Sequence, residues 1–134
     1  MTFARKMPTL FVLLAVPVLA LGCSQNKGGG GGEDRGSAVL AEIYECYSMH
    51  IKSNQRPPKQ LSDLKGYRGI NPAGIDALEK GDYIAVWGVN EKDPKTVLAY
   101  EKAAPKQGGA VLMADGTIKA MTADELTAAL KGKN

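Results

Sequence analysis

Between residues 37 and 53 apolar side chains return at steps of three and four: Leu40, Ile43, Tyr44, Tyr47 and Ile51. That spacing gathers them on one stripe of an α-helix and leaves Glu42, Glu45, Ser48 and Lys52 mostly on the other side. Ser37 is the expected N-cap. Pro57-Pro58 forbids continuation and sets an extended segment, after which a turn of helix over 59–64 points Leu61 and Leu64 inward. Asn71-Pro72 has the form of an N-cap and first helical residue, and Gly81 that of a stop, so a short helix is predicted between them.

The pattern then changes period. Residues 83–87, 96–100, 110–113 and 117–120 are short apolar or β-branched runs parted by turn residues, as strands are. Asp115-Gly116 between the last two predicts a tight hairpin with positive φ at both positions. Thr122 followed three residues on by Glu125 is a capping box, predicting a helix over 123–131 that Leu126 and Leu130 would dock. The expected fold is α+β: an amphipathic N-terminal helix packed on a small antiparallel sheet of three to four strands, helices on one face, and a short C-terminal helix.

Ahead of this domain, Arg5 and Lys6 precede an apolar run from Leu10 to Leu21 broken only by Pro17. A basic start, a short apolar stretch and small residues form a secretory signal, and the run falls short of the roughly 20 residues a spanning helix needs. Its end, Leu19-Ala20-Leu21-Gly22-Cys23, resembles the lipobox of bacterial lipoproteins. The resemblance implies acylation of the Cys23 thiol by a lipid of the palmitate class and cleavage between Gly22 and Cys23. The chain would then sit in the bacterial cell envelope, held to a membrane by that lipid. The alternatives are an ordinary signal peptide with a chance cysteine, or an uncleaved anchor.

Residues 24–36, with five glycines at 28–32, offer no apolar side chain for packing. Such a chain is expected to act as a tether reaching about 20 Å. The glycine run has no following Lys-Ser or Lys-Thr and no preceding strand, so it is not a phosphate loop. The organisation expected is a signal over 1–22, a lipidated tether over 23–36 and one small domain over 37–134.

Charge and cysteine content narrow the function. The chain carries 17 basic and 14 acidic residues, and loss of 1–22 removes Arg5 and Lys6 and no acid, leaving 15 against 14. A near-neutral domain with no basic stripe does not suit nucleic acid. With Cys23 lipidated, Cys46 is the remaining thiol. It has no internal disulfide partner, and its place on the helix favours burial over an intermolecular disulfide.

An amphipathic helix leading into Asn54-Gln55-Arg56-Pro57-Pro58-Lys59-Gln60-Leu61-Ser62-Asp63-Leu64 resembles the segment after the long helix of type II secretion pseudopilins. Gly108-Gly109-Ala110-Val111-Leu112-Met113-Ala114-Asp115-Gly116-Thr117-Ile118 is similar to the hairpin that closes many pseudopilin-like proteins. The likeness covers about 38–122 and implies a pilin-like head. The family's apolar, filament-forming N-terminal helix is missing, so the resemblance does not imply secretion activity.

Candidate chemistry is sparse. His50, the sole histidine, lies near the edge of the apolar face with no second ligand at metal-binding spacing, and reads as a packed helix residue. Asp115 is explained by the turn. Asp63, Asp76, Glu79 and Asp82 lack the spacing of a calcium loop and read as surface charge. Trp87, Tyr83 and Tyr100 read as sheet packing, with an aromatic ligand patch as the alternative. The function expected is a non-catalytic envelope lipoprotein acting through a protein partner, with no cofactor, metal or small-molecule substrate. The alternative is a small ligand-binding or enzymatic periplasmic module with a site near Trp87, Tyr100 and His50.

Overall fold

The computed structural model describes residues 33–132 except Glu91. Its elements are α1 (Glu33–Asn54), two 3-10 turns (Leu61–Asp63 and Lys65–Tyr67), α2 (Pro72–Lys80), β1 (Tyr83–Ala85), β2 (Val97–Glu101), α3 (Ala104–Gln107), β3 (Gly109–Met113), β4 (Ile118–Met121) and α4 (Ala123–Lys131). The strands form one antiparallel sheet in the order β1-β2-β3-β4, a simple meander. The α+β class and the four-stranded sheet agree with the sequence pattern.

Helix α1 begins at Glu33, so Ser37 lies inside it and residues 33–36, read as tether, are helical. The early start is accommodated by Gly36, which packs where a Cβ would fall 2.8 Å from Glu101 Oε1. At the far end Gln55 takes φ 56° and its backbone N–H donates to Ile51 O at 2.8 Å, ending the helix just before the prolines. Tyr47, fully buried at mid-helix, donates to Val86 O at 3.3 Å and accepts from Val89 N–H at 2.8 Å. Val86 N–H still donates to Leu98 O at 2.7 Å, and beyond it the Tyr47 bonds draw the chain away from the sheet. Strand β1 therefore stops short of Trp87, and the turn closes at Gly88, with φ 74°.

Helices cover both faces of the sheet, not one. Leu40, Ile43, Cys46, Tyr47, Ile75 and Leu78 from α1 and α2 pack against Leu98, Ala99, Leu112 and Ala114. On the reverse side Ala104 before the Pro105 turn and Leu126 of α4 pack against Val97, Val111 and Met113. The cause is visible in the strands: residues 97–99 and 111–113 are continuously apolar, which suits a sheet buried on two sides. Between Val97 and Ala99 the register with β3 shifts, so that Leu98 and Ala99 both meet the α1-side core opposite Leu112.

Helix α4 has the expected capping box, with Glu125 N–H on Thr122 Oγ1 at 3.2 Å and Thr122 N–H on Glu125 Oε2 at 2.8 Å. Helix α2 stops at Gly81, φ 75°, as expected, but Asn71 makes no side-chain cap. Glu42 of α1 takes that role by accepting from Gly74 N–H at 2.8 Å.

Candidate functional site

Cys46 and His50 stand one turn apart on α1 and pack against the segment that leads into α2. Cys46 is a free thiol with no exposed surface. Burial pushes that thiol above its ordinary value; the Asn71 amide beside it acts against the rise, and the charges of Glu42 and Glu45 add to it. A raised thiol is the reverse of an activated nucleophile.

His50 is 5% exposed, deeper than its expected place at the edge of the apolar face. Its Nδ1 lies 3.2 Å from the Asp63 carbonyl oxygen and 3.3 Å from Asn54 Nδ2, whose amide also donates to His50 O at 3.1 Å. The ring meets Tyr67 edge-on, with centroids 6.4 Å apart and planes at 82°. Two buried side-chain atoms here, His50 Nε2 and Asn71 Nδ2, have no hydrogen-bond partner. Asn71 is the member of this group that the sequence pattern missed, because nothing local ties position 71 to position 46.

Three of the four acidic side chains, Asp63, Asp76 and Glu79, are engaged on the surface. Asp63 Oδ2 accepts from Lys59 N–H at 2.9 Å, which holds its carboxyl below the usual range. Arg68 pairs with Asp76 at 2.7 Å and also with Glu79, and Lys65 reaches Glu79 at 3.0 Å. Asp82 offers its carbonyl to Lys102 N–H at 2.9 Å. Among the described residues no group of three or more His, Cys, Asp or Glu side chains could hold a metal ion.

The aromatic residues do not make one patch. Trp87 and Tyr83 pack against the α1-side core, whereas Tyr100 packs against the core beneath α4. Trp87 and Tyr100 therefore pack against different core clusters, and His50 packs against Asp63 and Tyr67. Tyr83 donates to Glu101 Oε1 at 3.2 Å; burial first, then that neighbouring carboxylate, push its hydroxyl up to about 12. A shallow, open depression of about 480 Å³ lies where β3 and β4 meet α4, with Gly108, Gly109, Met121 and Thr122 on its walls. Two helix-start N–H groups there, those of Thr122 and Glu125, are engaged by the capping box.

Asp115 and Gly116 form the β3–β4 turn, with a correction to its type. Gly116 alone has positive φ, 89°, and its N–H donates to Met113 O at 3.0 Å. Ala114 and Asp115 are the central residues of that four-residue turn, and a left-handed glycine follows it, a longer hairpin than the two-residue form. Asp115 Oδ1 accepts from Thr117 N–H at 3.0 Å, which holds its carboxyl low. Gly22 and Cys23 lie outside the described residues. Among the described residues no helix is long and apolar enough to cross a membrane.

No family model, curated protein or solved structure matches the chain.

Proposed function

We propose that this chain is a lipoprotein of the bacterial cell envelope, anchored through acyl chains on Cys23 and presenting a non-catalytic head that acts by contact with an envelope protein. The observation that carries this reading is Leu19-Ala20-Leu21-Gly22-Cys23 at the end of a short apolar run, followed by glycines at 28–32 and then by a domain whose first helix starts at Glu33. One acyl chain gives only marginal membrane binding, so a stable anchor needs further lipid on the same residue, as in the lipoproteins the motif resembles.

A pilin-like head is the finer reading of the fold. Its support is the order of a long helix, a Pro-Pro segment and an antiparallel meander. A non-catalytic role is supported by the structural duties of the candidate groups: Asp115 builds a turn, Asp63 holds Lys59 N–H, and Asp76 and Glu79 bind Arg68. Cell fractionation of Cys23→Ala tests the anchor. Release of the chain from membranes supports the reading, and unchanged tight association overturns it.

A further inference from the structure

Helix α1 gives the domain two distinct ends. Its start lies against one end of the sheet: a Cβ on Gly36 would fall 2.8 Å from Glu101 Oε1, at the close of β2, and 3.4 Å from the Tyr83 hydroxyl, at the opening of β1. Tyr47 meets Val86 and Val89, past the close of β1 at the other end. From Tyr47 the helix runs about 10 Å further along its axis to Asn54, which stands about 32 Å from Glu33, where the chain from Cys23 enters.

The end remote from Glu33 carries cations that its own chain does not match. Lys52, Arg56 and Lys59 are exposed, and none of them makes an ion pair among the described residues. The acid found between residues 51 and 63 is Asp63, which spends one oxygen on the Lys59 N–H. Lys65 and Arg68, by contrast, are matched by Glu79 and Asp76. Trp87 adds an apolar contact to this end. It is half-buried, packs in the same cluster as Ile51 and Leu61, and precedes Gly88, whose N–H donates to Pro58 O at 2.9 Å. The Tyr47 bonds and the two proline rings hold this surface in shape in advance, which lowers the ordering cost of docking. Trp and Arg are also the residue types that most often dominate protein interfaces.

We propose that this end, with Lys52, Arg56, Lys59 and Trp87, docks an acidic segment of an envelope protein. The inference rests on the lipoprotein reading and deepens it by naming the surface and the charge of the partner. Charge supplies the occupant: an acidic segment neutralises these cations without displacing an existing pair. A lipid surface suits them less well, because the anchor enters at the opposite end of α1.

The test is photo-crosslinking in the cell, with the full lipidated chain carrying benzoylphenylalanine in place of Arg56 or, for comparison, in place of Lys102 behind Glu101. Expected is a protein adduct from the first position alone, mapping to a segment richer in Asp and Glu than in Lys and Arg. Lys52→Glu combined with Lys59→Glu should cut that adduct about tenfold or more, and Lys52→Arg with Lys59→Arg should keep it. Both variants retain Cys23 and should stay with the membrane fraction, so a failure here is distinct from a failure of the anchor. No adduct, lipid adducts, equal adducts from both positions, a mapped segment without acidic excess, or indifference to charge reversal would each overturn the docking surface.

Discussion

Glu42 Oε2 accepts a hydrogen bond from the Gly74 backbone N–H at 2.8 Å, so a side chain of the first helix caps the second. Asn71, which stands where a local cap belongs, makes no such bond. Glu42→Ala should therefore cost about 1 kcal/mol, the usual loss for a cap. Glu42→Gln should recover most of it, because the amide oxygen still accepts. Chemical denaturation of the two variants checks this, and equal losses would count against a capping role.

Gly116 is predicted to be the more sensitive half of the hairpin turn. Its φ is 89°, and a Cβ there would fall 2.8 Å from the Tyr44 ring. Gly116→Val should lose on the order of 2–4 kcal/mol, combining left-handed strain with overlap. Asp115→Ala should lose less, since the Thr117 N–H it bonds lies at the surface. Its depressed carboxyl gives stability that is present above the unfolded pKa and is lost as pH falls through the folded one. The acid limb of a stability profile should therefore flatten in Asp115→Ala, and thermal melts of both variants across pH provide the measurement.

Gln55 adopts φ 56° at the C-terminus of α1, in the left-handed region that glycine occupies more cheaply. Gln55→Gly should raise stability by about 0.5–1 kcal/mol, less the surface bond from Gln55 Nε2 to Lys52 O. A lower melting temperature would show that this side-chain bond outweighs the backbone gain.

Alkaline titration should weaken the fold through tyrosine. Tyr83 is pushed from 10.0 to about 12 by burial and by Glu101, and burial also raises Tyr47. A raised acid contributes stability that is complete below its unfolded pKa, so Tyr83's contribution should disappear between pH 10 and 12. In Tyr83→Phe that decline should shrink. Phenolate absorbance followed with circular dichroism tests it, and an identical decline would remove Tyr83 from the account.

Much of this fold was legible in local chemistry. Thr122 with Glu125, Pro72 with Gly81, and the apolar stripe of α1 each announce an element through contacts within a few residues. What was not legible depends on distant partners. Trp87 has the residue type of a strand, yet Tyr47, some forty residues earlier, bonds the Val86 carbonyl and the Val89 N–H on either side of it, and the ladder ends at the Val86 N–H bond to Leu98 O. Glu42 looks like a solvent-facing charge until α2 arrives beside it. The second helical layer was signalled by the unbroken apolar runs at 97–99 and 111–113, which alternation alone would not place on two faces. At the buried polar site His50 was visible as a candidate, but Asn71 was not, because only the tertiary fold sets it beside Cys46.

Lipidation at Cys23 can be read from the intact mass of the mature protein purified from its envelope. The expected product is a chain that begins at Cys23 and carries the added mass of its acyl groups. A chain that keeps residues 1–22, or one that begins at Cys23 without lipid, would contradict it.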